Sequence, residues 1–325
     1  MSAQKIFLHA MAASMALGSG QVALAQSYPA APVKIIVPFA AGGGVDQVAR
    51  MLASHWQTAF KGNFIVENRP GASTFIAAEA VARAVPDGTT LLLTTQSTFV
   101  INPLLFKEMP YKASDFVPVG RISAVPSFFT VAADSPFKSL ADLVASAKER
   151  PGSLSYASAG AGTAGHLGFE LLNQRVGTRM IHAPYKSYAA SMPDVVAGRV
   201  TSIMADLPVI NSLLQAGKVR LLAASTAQRS EFMPDVPSVN EALGIKDFSV
   251  ANWFAVYAPK GTPADVVARL SKEIEQFTRS PEGAAKLKAI GHTPAASSPR
   301  ELAELERAEA ANWGPLIKSL NLKMD

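Results

Sequence analysis

The stretch that decides the fold runs from Val33 to Arg50 and reads VKIIVPFAAGGGVDQVAR. Val33 to Phe39 is an apolar, β-branched run with the length of a buried strand. Gly42, Gly43 and Gly44 follow it directly. From there Val45, Val48, Ala49, Leu52, Trp56, Ala59 and Phe60 recur on one face of a helix. A strand, a glycine turn and a helix N-terminus together present unpaired backbone N–H groups to an anion. The helix dipole at that end favours negative charge by about 0.3–1 kcal/mol. No lysine follows the glycines, so a nucleotide P-loop is excluded. The expected guest is a small anion, a carboxylate rather than a phosphate ester.

A second copy of this logic begins at Leu154: LSYASAGAGTAGHLGFELLNQRVG. A strand, Leu154 to Ala157, leads through Gly160, Gly162 and Gly165 into a helix carrying His166, Leu167, Phe169, Leu171 and Leu172. Gly160 to Gly165 fits the dinucleotide pattern GxGxxG, but that pattern needs an acid at the end of the next strand to hold a ribose. The next strand, MIHAPY, has none, so no nicotinamide or flavin cofactor is expected. A hydrolase would draw on Ser158 or Ser97, His166, and Asp46 or Asp206, yet no GxSxG elbow occurs. The 5 histidines lack metal-ligand spacing and there is no cysteine, so no metal is expected. His166, at the start of the second helix, is read as directing an N–H at an anion or capping the helix. Asp46 either complements the dipole of the first helix or braces its loop and receives an amino group; the sequence leaves both open.

Between and beyond these units, strands and helices alternate. NFIVEN is a short strand, Phe75 to Ala84 a helix stopped by Pro86-Asp87-Gly88, and TTLLLTTQS a buried strand. Residues 102–122 read as irregular, and a strand is expected from Ser127 to Ala132. Ser139 and Asp142 form a capping box for a helix that Pro151-Gly152 ends. MIHAPY is a strand, SYAASMPDVVAGRV a helix, VTSIMADLPV a strand ending at Asp206, and VRLLAAST a strand. SVANWFAVYAPKG returns as a strand, with Trp253 and Phe254 either packing the core or lining a pocket. A helix capped by Thr262 follows, and a last one spans Pro299 to Leu320, interrupted or kinked at Pro315. This alternation argues for doubly wound α/β lobes, two of them facing each other. Ligands in such sheets sit at the carboxyl ends of strands, which puts Gln96, Ser97 and Asp206 on the ligand rim. Tyr185 and Lys186 face either the cleft or solvent.

Composition bounds the rest. The chain has 325 residues, 49% hydrophobic and 17% charged, with formal net charge +5. Basic residues are scattered, which excludes a nucleic-acid footprint and suits small anions. Residues 1–25 read as a secretory signal: Lys5, an apolar run from Ile6 to Leu17, and Ala23-Leu24-Ala25 before the cut. The apolar run is too short to span a bilayer, which takes about 20 residues. With no cysteine for lipid attachment, the mature chain is expected free in the periplasm as a monomer, without membrane insertion.

Taken together, PVKIIVPFAAGGGVDQVAR, VENRPGA, PDGTTLLL, INPLLFKEMPY, DFVPVG, LSYASAGAGTAGHL, HAPYKS, MADLP, RSEFMPDVPSV and NWFAVYAPKGTPADVV resemble the Bug-type receptors, the solute-binding components of tripartite tricarboxylate transporters. The resemblance covers nearly the whole mature chain. It implies a type II periplasmic binding protein: lobe one from 26–124 and 252–325, lobe two from 125–251, joined by two crossover strands. It implies a non-enzymatic receptor for a small organic carboxylate, with membrane transporter subunits as partners. A sensor presenting its closed form to a two-component sensor kinase is the alternative. The family's two pinching loops fall on Phe39, Ala40, Ala41, Gly42, Gly43, Val45 and Asp46, and on Ser158, Ala159, Gly160, Gly162, Thr163 and His166. Gln96, Ser97 and Asp206 are then expected around the distal part of the ligand. Val45, Phe75 and Phe99 depart from the family's usual residues. They predict a more apolar pocket, suited to a monocarboxylate or to a dicarboxylate with an apolar body.

Overall fold

A computed structural model describes residues 28–322; the signal-peptide reading of residues 1–25 falls outside them. The chain opens as the sequence predicts. Strand β1 (Val33–Val37) leads through the glycines into helix α1 (Gly44–Phe60), then β2 (Phe64–Asn68), α2 (Phe75–Ala82) and β3 (Thr90–Thr95). β1 lies between β2 and β3 and is parallel to both, the right setting for a strand with Val33, Ile35, Ile36 and Val37 all buried. α1 covers it with Val45, Val48, Ala49, Leu52, Ala53 and Trp56; Ala53 takes the place expected of Ala59, which is exposed.

The chain then crosses to the second lobe. After a π-helical turn at Ser97–Ile101 and a short helix α3 (Asn102–Leu105), β4 runs from Phe116 to Ala132. This corrects the expectation of an irregular stretch with a strand starting at Ser127. Pro118 reads as a break, but a register shift between Pro118 and Gly120 accommodates it without ending the strand.

The second lobe holds α4 (Leu140–Glu149), β5 (Ser155–Ser158), α5 (Ala164–Val176), β6 (Ile181–Pro184), α6 (Tyr188–Val196), β7 (Ser202–Asp206), α7 (Leu207–Gln215), β8 (Val219–Ala224) and α8 (Val239–Leu243). Ser139 and Asp142 cap α4 reciprocally, at 3.1 and 2.9 Å, as their spacing predicts. β7 stops at Asp206, where α7 begins; the apolar residues after it belong to that helix and not to the strand. β9 (Ala251–Pro259) carries the chain back. Up to Pro126, β4 pairs antiparallel with β9; from Ser127 onward it pairs with β7 and β8. The sheet order is therefore β2-β1-β3-β9-β4-β7-β5-β6, with the two crossing strands at its centre.

Helices α9 (Ala264–Arg279), α10 (Pro281–Ala289) and α11 (Pro299–Ser319) and the short β10 (Thr293–Pro294) complete the first lobe. Pro263 caps α9; Thr262 sits one residue too early and donates its hydroxyl to the Pro259 carbonyl at 2.8 Å. Pro315 lies inside α11, which continues to Ser319. α11 packs on β4, α3 and α5, so one helix of the first lobe also touches the second.

Candidate functional site

A cavity of about 440 Å³ lies between the lobes, floored by the crossing strands. Four helices begin at its wall: α1 through Gly43, Gly44 and Val45, α5 through Thr163 and Ala164, α6 through Ser187 and Tyr188, and α7 through Asp206 and Pro208. Their N-terminal dipoles all favour negative charge in the same space. The amides of Gly44, Val45 and Ala164 stand in first turns, where the helix supplies no acceptor.

The two glycine loops are braced in the same way. Asp46 is the third residue of α1 and His166 the third of α5, and each accepts the amide N–H four residues earlier. Gly42 donates to Asp46 Oδ2 at 2.9 Å, and Gly162 to His166 Nδ1 at 3.0 Å. Asp46 also accepts from Arg50 Nε and Nη2 at 2.9 and 3.0 Å and from Asn68 Nδ2 at 2.9 Å. Burial works against its charged form, but the bonds from Arg50, Gly42 and Asn68 outweigh it and hold the carboxyl below the usual range. Of the two roles open to Asp46, the geometry shows the brace. His166 is buried, stacked on His182 with ring centroids 3.9 Å apart. Burial, then the neighbouring His182, lowers its pKa to about 4. It is neutral at pH 7 and accepts with Nδ1, so it supplies no imidazolium to an anion.

The other expected residues divide. Phe39, Val45, Ser97, Ala159, Thr163 and Asp206 join Gly43 on the cavity wall. Ala40, Ala41 and Gly42 form the exposed crest of the first loop. Ser158 is buried beneath the second, with Oγ 2.7 Å from His182 Nε2 and accepting from the Gly160 amide at 3.1 Å. The serine–histidine contact thus involves His182, not His166, and its hydroxyl is part of the loop's framework. Gly160 accepts the Thr163 hydroxyl at 2.7 Å. Gly162 has φ +76° and lies so close to Leu105 that an added Cβ would overlap Leu105 Cδ1 at 2.2 Å. Gln96 points away from the cavity: its amide nitrogen donates to the Ala251 carbonyl and Glu309 Oε2, both at 3.0 Å.

Several cavity residues were not singled out in the sequence. Asn252 pairs across from Val125, and His292 is buried with Nδ1 3.0 Å from Ser123 Oγ. Burial lowers the His292 pKa to about 4. The ring packs edge-on to Phe254, at 4.8 Å between centroids. Trp253 and Phe254 take one role each: Trp253 fills the core and donates Nε1 to Glu309 at 2.9 Å, while Phe254 faces the cavity. Tyr188 and Lys186 line the wall too, whereas Tyr185 donates its hydroxyl to Asp194 at 2.5 Å. Of the three departures expected to make the pocket apolar, Val45 alone reaches it. Phe75 packs on Phe106 and Phe99 on Tyr257 and Phe116. The apolar wall comes instead from Phe39, Val125, Val209 and Phe254.

Asp206 ends β7 on the cavity floor. Its Oδ1 accepts the Ser127 hydroxyl at 2.5 Å, and its Oδ2 faces Asn252 Nδ2 at 3.5 Å. Burial raises its pKa, and the bonds from Ser127 and Asn252 partly offset that.

Comparison with known proteins places this arrangement. Residues 48–322 match the family described as "Tripartite tricarboxylate transporter family receptor". The chain is 32% identical over 302 residues to protein BugT of Bordetella pertussis, covering 92% of each. Among solved structures, "R. palustris Rpa4515 with adipate" is 36% identical with a TM-score of 0.81, covering 90% of this chain and 97% of that one. "MatC (Rpa3494) from Rhodopseudomonas palustris with bound malate" is 27% identical with a TM-score of 0.76, covering 89% and 100%. The two-lobed α/β fold is the fold of periplasmic solute-binding proteins, which are receptors and not enzymes. This chain belongs to the tripartite tricarboxylate transporter receptor family.

Proposed function

We propose that the protein is a periplasmic receptor that captures a small organic carboxylate between its lobes and delivers it to a membrane transporter of the tripartite type. The observation that carries this reading is the convergence of four helix N-termini, two of them behind glycine loops on opposite lobes, on one cavity. Gly44 and Val45 from one lobe and Ala159 and Ala164 from the other would hold the carboxylate through backbone amides. Phe39, Val125, Val209 and Phe254 would cover its apolar body. Adipate and malate, the ligands of Rpa4515 and MatC, are acids of this size.

Neither lobe alone surrounds the anion, so binding is coupled to closure. We take the lobes as 26–124 with 252–325, and 125–251, and the signal as removed after Ala25. Contacts between lobes in this structure include Leu105 against Gly162 and an ion pair from Lys288 to Glu231 at 2.6 Å. The test is thermal unfolding of the mature protein with a panel of mono-, di- and tricarboxylic acids, amino acids and aromatic acids. A true ligand at a hundredfold excess over its Kd adds about 2.7 kcal/mol of stability. Stabilisation by mono- or dicarboxylates is the expected result; stabilisation by uncharged sugars or by cations alone would contradict the reading.

A further inference from the structure

Asp206, Ser127 and Asn252 stand on three adjacent strands, β7, β4 and β9, where those strands floor the cavity. Along β4, Asp206 is paired with Ser127 and Asn252 with Val125, two positions away on the same face. Ser127 and Asn252 both turn donors toward Asp206, one to each carboxylate oxygen. Asn252 Oδ1 is buried and has no partner. A buried amide oxygen without a donor is costly unless something supplies one. A carboxylate oxygen can accept a further bond beyond the one each already has. This floor is therefore acceptor-rich, in contrast to the donor-rich helix ends above it. Among the described residues, the one cation of the wall, Lys186, is exposed on the loop between β6 and α6 and not on the floor.

We infer that the floor of the cavity selects a ligand carrying a hydrogen-bond donor, a hydroxyl or an ammonium, in addition to the carboxylate held by the glycine loops. This rests on the carboxylate-receptor reading and narrows it. Asp206 and Asn252 Oδ1 accept from the donor, and an ionised second carboxylate at the same place meets a like charge. Asp206 is then the residue that separates hydroxy or amino acids from plain fatty acids and from dicarboxylates.

The experiment is calorimetric titration of the protein, unfolded and refolded to strip any co-purified ligand. The probes are hexanoate, 6-hydroxyhexanoate, 6-aminohexanoate and adipate, and the same four end groups on a benzoate frame. In at least one frame the hydroxyl or ammonium form should bind about tenfold or more tighter than both the plain acid and the diacid. Asp206→Ala should remove that preference, so that the hydroxyl and ammonium forms bind no tighter than the plain acid. Asp206→Asn separates the donors, keeping a preference for hydroxyl and losing one for ammonium. A diacid that binds tightest in both frames overturns the inference, because a protonated Asp206 would then be donating to a second carboxylate. So does a donor preference that survives in both Asp206→Ala and Asn252→Ala. The wild-type ranking decides even where a variant fails to fold. Failure of every free acid to bind, or equal binding of hexanoate and hexanamide, would overturn the carboxylate reading itself.

Discussion

Asp46 and His166 hold matching posts at the start of α1 and α5, and the difference in their chemistry gives each loop its own response to pH. The Asp46 carboxylate receives bonds from Gly42, Arg50 and Asn68. Replacing it by Asn removes the charge from a nearly buried site and leaves Arg50 without its ionic partner. Asp46→Asn should lower stability at pH 7 by about 1–3 kcal/mol, measured by urea unfolding. Because the folded-state pKa is depressed, this contribution is complete above the ordinary carboxylate pKa. It is lost as pH falls through the lower folded value, so the gap between wild type and variant should close in acid. A gap that persists unchanged into strong acid would contradict the brace. Gly162 gives a second expectation at this scale. Gly162→Ala should weaken ligand binding more than about tenfold, because its Cβ overlaps Leu105 and its φ of +76° strains any side chain. Gly43→Ala should unfold at nearly the same denaturant concentration as wild type, since no protein atom closer than the Ala40 carbonyl at 3.5 Å meets its Cβ.

At the scale of elements, the β5–loop–α5 unit carries stacked His166 and His182, and the end of α10 leads into buried His292. Burial depresses the pKa of His166 and His292 to about 4. The unfolded chain, with ordinary histidines near 6.5, binds more protons than the folded one between those values. Stability is therefore full above about pH 6.5 and falls as pH drops toward 4, by on the order of 2–3 kcal/mol for each such group. Chemical denaturation across this range should show the slope, and His292→Phe should flatten it; an unchanged slope in that variant would contradict the assignment. Elements also show what was legible beforehand. Both strand–glycine–helix units were readable because their signals are local: a β-branched run, glycines, a helical period. β4 was not, because Pro118 looks like a break until β9 pairs alongside and a register shift accommodates it. Asn252 and His292 were not, because no spacing announces a residue that joins the floor from a distant part of the chain. Phe75 and Phe99 misled for the same reason: their neighbours Phe106, Tyr111, Phe116 and Tyr257 are set by folding, not by sequence proximity.

For the whole molecule, the central geometry is a sheet in which β4 runs from one lobe into the other and β9 returns alongside its first part. In the closure proposed above, motion about these strands would bring the α1 and α5 N-termini together. Small-angle scattering should accordingly show a smaller radius of gyration with a bound acid than without; identical profiles would contradict coupled closure. The most direct test of the account is a titration comparing one free acid that binds with its own primary amide. The amide keeps shape and apolar body but loses the charge that the opposed helix ends hold. The acid should bind, and the amide at least about a hundredfold more weakly, given two or more charge-assisted bonds lost. An amide that binds as tightly as its acid would contradict the carboxylate clamp.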